Sequence, residues 1–90
     1  MTACIPLVQI RSMYRTEWQD LAFSVESGSD ECTLRVEEIV THRLLYTARR
    51  GRVAAAQAAA AEFGIFRVLG PASGVSPEVL ASTLAWRRQI

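Results

Sequence analysis

Lysine and asparagine are absent from this sequence, histidine occurs once and cysteine twice. Each shortage removes a class of chemistry. His42 is the single imidazole, and Cys4 and Cys32 stand far apart, so no Cys-x-x-Cys or His-x-x-x-His pair closes a tetrahedral metal site. Two cysteines are too few for the disulfide framework of a small secreted scaffold. Two reduced thiols are the reading preferred over an oxidised pair, with Cys32 as a small core residue on a strand. No apolar run approaches the ~20 residues that a membrane-crossing helix needs. The start, Met1 to Leu7, lacks the basic region and long apolar stretch of a secretory signal. These absences lead to the expectation of a cytoplasmic chain without metal, cofactor or membrane contact.

Catalytic signatures are missing as well. Ser, Cys and His42 occur, but no Gly-x-Ser-x-Gly elbow surrounds a nucleophile. Glu37 and Glu38 are neighbours on an extended segment and point to opposite faces, which rules out a carboxylate dyad. Gly51, Gly64, Gly70 and Gly74 match neither the Walker nor the dinucleotide spacing. The chain is expected not to be an enzyme.

What is present is a globular balance: 90 residues, 50% of them apolar and 21% charged. That suits one compact domain, residues 1–90, close to the size at which a single core just suffices. Every basic side chain apart from His42 is arginine, and alanine is in excess. This reads as the codon bias of a GC-rich genome before it reads as selection for phosphate contact.

Period-two alternation marks the clearest elements. Leu21, Phe23 and Val25 alternate with Ala22, Ser24 and Glu26, and Cys32, Leu34 and Val36 with Thr33, Arg35 and Glu37. Ser27-Gly28-Ser29-Asp30 between them has turn composition, so the two runs predict a β-hairpin. Arg43 to Arg49 extends it as a third antiparallel strand. Earlier in the chain two readings stand. Leu7 to Ser12 fits a strand, the one preferred here, while Leu7, Ile10, Tyr14, Trp18 and Leu21 fit a helical stripe. The Ala-rich tract Arg52 to Gly64 predicts a helix, with Gly64 as its left-handed stop. Ile65 to Leu69 reads as a further strand. Ser76-Pro77-Glu78 opens a last helix running to about Arg88. The fold class predicted is α+β: an antiparallel sheet of about four strands packed against two helices, in the order β-β-β-β-α-β-α.

Charge is unevenly distributed. Up to His42 there are seven acidic residues against three arginines, and from Arg43 onward seven arginines against two acids. Two candidate binding patches follow. One is basic: Arg49, Arg50 and Arg52 at the start of the Ala-rich helix, with Arg87 and Arg88 at the end of the last one. The other is acidic: Glu26, Asp30, Glu31, Glu37 and Glu38 on and around the hairpin, a cluster able to mimic nucleic acid on a basic groove. The plainer account of each is a solvated surface. Such asymmetry also permits pairing with another copy of the chain. Trp18, Tyr14 and Trp86 are large enough to anchor an interface.

Two resemblances attach to these segments. Leu21 to Gly64, three strands followed by an Ala-rich helix, resembles the layout of double-stranded-RNA-binding domains, and Gly51-Arg52-Val53-Ala54-Ala55-Ala56-Gln57-Ala58-Ala59-Ala60 can be laid on that family's Ser-Lys-Lys-x-Ala-Lys-x-x-Ala-Ala signature. Arg52, Ala55, Ala59 and Ala60 keep that signature's character; Val53 and Ala56 stand where the family carries phosphate-binding lysines. Leu44 to Ala48, the Ala-rich helix, and Ile65 to Leu69 resemble the strand–helix–strand layout of small phage and mobile-element proteins of the anti-CRISPR type. That resemblance implies a non-enzymatic inhibitor or modulator of a bacterial nucleoprotein or defence complex. Direct nucleic-acid binding through the arginines, or a structural or dimerising role, are the alternatives.

Overall fold

Leu21, Phe23, Val25, Leu34 and Val36 are all fully buried, which follows from their projecting to one side of two neighbouring strands. In the computed structural model of the chain, which describes residues 12–89, those strands are β2 (Leu21–Ser27) and β3 (Cys32–Glu38). They form the antiparallel hairpin expected from the alternation, with Phe23 opposite Val36 and Val25 opposite Leu34. The Gly28 N–H donates to the Glu31 carbonyl at 2.9 Å and closes its turn. Cys32 is buried at the start of β3, a core residue on a strand as expected, whereas Cys4 lies outside the described residues.

Two more strands flank the hairpin, β1 (Ser12–Trp18) beside β2 and β4 (Leu44–Arg50) beside β3. The strand expected over Leu7–Ser12 falls outside the described residues except for Ser12, where β1 begins. From there to Trp18 the chain is extended, so the helical stripe does not form over this stretch. In β4 a register shift pairs Val36 with Tyr46 but Glu37 with Leu44. Leu45 is the extra residue of a bulge, and it turns into partial contact with the core.

The helix α1 (Val53–Gly64) lies on the inner side of the sheet. Ala56, Ala59 and Ala60 pack there with Leu21, Phe23, Val25, Leu34 and Val36. Short side chains bury little area each but bring the helix axis close to the strands. Tyr46 of β4 stacks on Phe63 of α1 with ring centroids 4.9 Å apart.

Past α1 the structure corrects three expectations. Gly64 has helical angles, φ −62° and ψ −43°, and is not a left-handed stop. The chain continues as a π-helical turn over Ile65–Leu69, so the strand expected there is not formed. A five-residue apolar run is ambiguous between strand and helix. Ile65 decides it here by burying itself against Ala61 and Leu80. The true stop is Gly70, at φ 86°, whose N–H donates to the Ile65 carbonyl at 2.7 Å.

A short 3-10 turn (Pro71–Ser73) leads to α2 (Pro77–Thr83), which begins at Ser76 as expected but ends well short of Arg88. Leu84 is already extended, and Arg87–Arg88 form β5, paired with Tyr14 and Arg15 of β1. The open edge of β1 supplies unpaired backbone groups, and the Gln89 N–H donates to the Met13 carbonyl at 2.6 Å. Trp86 contributes by packing near Phe23, ring centroids 6.2 Å apart. The finished sheet has five strands in the order β4-β3-β2-β1-β5, antiparallel throughout. The α+β class stands, with the last strand after the second helix rather than before it.

Candidate docking face

With α1 and the inward side chains on one side, the other side of the sheet carries no helix among the described residues. Strand register fixes what it presents. Ser24 of β2 lies opposite Arg15 of β1 and Arg35 of β3; Arg35 lies opposite Thr47, and Arg15 opposite Arg87. One row therefore reads Arg87, Arg15, Ser24, Arg35, Thr47, donors throughout. The next row along the strands reads Glu17, Ala22, Glu37, Leu44. On the other flank stand Met13, Glu26, Thr33 and Arg49.

Few of these charges are satisfied locally. Arg15 donates to Ser24 Oγ at 3.3 Å and to Glu17 Oε2 at 3.4 Å, both contacts at least partly solvated. Pairs of that kind are worth little in water. Arg35 is exposed and forms no ion pair among the described residues, nor does Glu37. Arg87 and Arg15 are directly opposed like charges, an arrangement that disfavours the pairing of β5 unless something compensates it. A shallow, mainly polar hollow opens beside them, lined by Arg15, Thr16, Glu17, Ala85, Arg87 and Gln89.

The patches expected from sequence are distributed differently. Arg49 and Arg50 end β4, and Arg52 caps α1 without a side-chain hydrogen bond to the helix. Arg50 Nη1 donates to the Arg49 carbonyl at 2.7 Å. Arg87 and Arg88 are at the opposite sheet edge, about 19 Å away at ~4.8 Å per strand. The five arginines do not meet in one patch. The acidic set divides too: Asp30 and Glu31 occupy the β2–β3 turn, Glu26 the outer face of β2, and Glu37 and Glu38 the far end of β3. Six residues of strand separate Glu31 from Glu37, roughly 20 Å.

Two of the acidic residues are paired with arginines, one from the basic set and one from outside it. Arg49 Nη1 is 3.8 Å from Glu31 Oε1, and Arg67 Nη2 is 3.8 Å from Glu38 Oε2. His42 is exposed in the β3–β4 turn at φ 60°, its N–H donating to the Glu38 carbonyl at 2.8 Å. Trp18, Tyr14 and Trp86 are partly buried against the core, so the large aromatics do not form an exposed anchor. Apolar exposure lies at Phe66, Val68, Leu69, Val75 and Val79 after the first helix, at Val40 in the β3–β4 turn, and at Leu44 where β4 begins.

The residues that sequence reasoning missed are Arg15, Glu17 and Arg35. Arg35 and Glu37 were legible as outward residues of the hairpin. Arg15 and Glu17 required β1, whose Tyr14 and Trp18 spacing also suits a helix. These features define an α+β sheet whose charge-patterned face carries no helix among the described residues. Comparison with protein families, with curated proteins and with solved structures gives no match. No helix among the described residues is long and apolar enough to cross a membrane.

Proposed function

We propose that this chain is a small binding protein with no chemistry of its own. It docks through the helix-free face of its sheet on a protein component of a bacterial nucleoprotein or defence complex, which it inhibits or modulates. The observation that carries this reading is the interleaving of charge on that face. Nucleic acid calls for a track of one sign, but Glu17, Glu26 and Glu37 stand among Arg15, Arg35 and Arg49. A protein surface can meet rows of both signs, and complementary charge selects its partner. The choice of a nucleoprotein target rests on the resemblance of Leu44 to Ala48, the Ala-rich helix and Ile65 to Leu69 to small inhibitors of that kind. Since Ile65–Leu69 is a π-helical turn and not a strand, only the first two parts of that layout remain.

The test is affinity capture from a bacterial host with the wild type beside an Arg15→Glu/Arg35→Glu variant. Capture of a nucleoprotein component by the wild type and its loss from the variant is the expected result. Equal capture by both, or no such component with the wild type, contradicts the proposal. Labelled DNA and RNA at low salt separate the competing outcome, since direct binding would show an affinity falling steeply with salt.

A further inference from the structure

The helix-free face carries its charges in a register that complements itself. Arg15 and Glu17 are two residues apart on β1 and therefore point to the same side, and Arg35 and Glu37 repeat the arrangement on β3. Both strands run antiparallel to β2, whose Ser24 and Ala22 stand between them in the same two rows. Consider a two-fold axis lying between those rows, perpendicular to the strands and in the plane where two such faces would meet. It lays one sheet on another with strand directions reversed, and brings each arginine row over the carboxylate row of the second copy. Arg15 then meets Glu17 of the second copy, and Arg35 meets Glu37 of the second copy. Symmetry repeats both contacts, as in any isologous interface.

We infer that this face is a symmetric dimer interface, and that the free chain pairs with a second copy of itself through it. Ala22, buried at 2% exposure, and the half-buried Ser24 lie low between the charged pairs and let the sheets approach. Arg35 and Glu37, without an ion pair among the described residues of one copy, gain partners, and Arg15 exchanges a solvated contact for a shielded one. Strands of seven residues, four of them side by side, give a pairing that buries on the order of 1,000 Å² in total. That is the low end of specific interfaces, so the dimer is weak and steered by charge. The inference stands on charge register and not on the identity of any other partner. A protein docking on the same face has to displace the second copy.

Sedimentation equilibrium of the full chain at low salt tests it. The wild type is expected in monomer–dimer exchange, weakened about tenfold or more as salt rises to about 0.5 M. Arg35→Glu sets like charges against each other twice across the dyad and is expected to weaken pairing on the order of tenfold or more; Glu37→Arg does the same. The double variant Arg35→Glu/Glu37→Arg restores opposite charges and with them the dimer. An equimolar mixture of the two single variants forms a heterodimer. Circular dichroism melting verifies that each variant is folded, and folding is expected because both side chains are on the surface. A wild type that stays monomeric into the millimolar range, single variants that pair like the wild type, or a mixture that stays monomeric would overturn the inference. The double variant also separates this from the proposed function, because it keeps self-association while presenting an altered face to any other protein.

Discussion

Gly64 lies against the ring of Trp18, so close that a Cβ at position 64 would stand 2.9 Å from Trp18 Cζ3 and 3.3 Å from Phe23 Cζ. Its backbone is ordinary helix, so this glycine provides room and not a special conformation. The contact ties the end of α1 to the end of β1. It holds the helix on the inner side of the sheet, and the outer side carries no helix among the described residues.

Gly64→Ala is therefore expected to destabilise the chain. Alanine gains about 1 kcal/mol of helix propensity, but overpacking a filled site costs about 1–3 kcal/mol. A net loss of about 1 kcal/mol should appear in denaturant melts. On a Trp18→Leu background the same substitution should become neutral or stabilising, because the ring it would strike is gone.

Gly70→Ala acts by a different route. At φ 86° and ψ 157° the residue sits in a region open essentially to glycine alone, and nothing crowds a Cβ there. The cost, about 1–3 kcal/mol, is conformational and should show as faster amide exchange at Gly70 and through Ile65–Leu69. Gly51→Ala, with no left-handed φ and open space around it, should change stability little.

The two faces of β3 should separate stability from binding. Leu34→Ala removes a fully buried side chain and is expected to cost about 2–5 kcal/mol. Arg35→Glu, one residue on, should stay within about 0.5 kcal/mol of wild type while weakening association. Thermal melts and sedimentation on the same samples make the comparison.

Ser76 Oγ donates to Glu78 Oε1 at 2.9 Å, and this hydrogen bond, with a smaller contribution from the backbone, holds the Glu78 carboxyl below the usual carboxylate range. A carboxyl whose folded value lies below its unfolded one adds stability that is present above the unfolded value and lost as pH falls through the folded one. Ser76→Ala should raise the Glu78 midpoint in an NMR titration and remove that acid-side contribution. Glu78 is exposed, so the effect on global stability is expected to be small.

Sequence pattern revealed the hairpin because Phe23, Val25, Leu34 and Val36 alternate cleanly, and revealed α1 because alanine leaves the backbone little else to do. It failed where local pattern was neutral and a distant contact decided. Ile65 is helical because Leu80 and Ala61 shelter it. Trp86 draws the tail toward Phe23, and Arg87 leaves the expected helix for the edge of β1. The candidate site was half visible. Charge counts along the chain grouped Arg49 with Arg87 and Glu31 with Glu37, whereas folding joined Arg49 to Glu31 and set Arg35 beside Ser24. Rows across a sheet depend on register, which no single strand contains.

Binding is assigned to one side of the sheet, the side without a helix among the described residues. Methyl and arginine Nε–H NMR spectra, recorded from dilute to concentrated protein, read this directly. The shifts are expected at Met13, Thr47, Arg15 and Arg35 on the helix-free face, while Leu69, Val75 and Val79 stay fixed. Movement confined to Leu69, Val75 and Val79, with Thr47 and Arg35 unchanged, would contradict it.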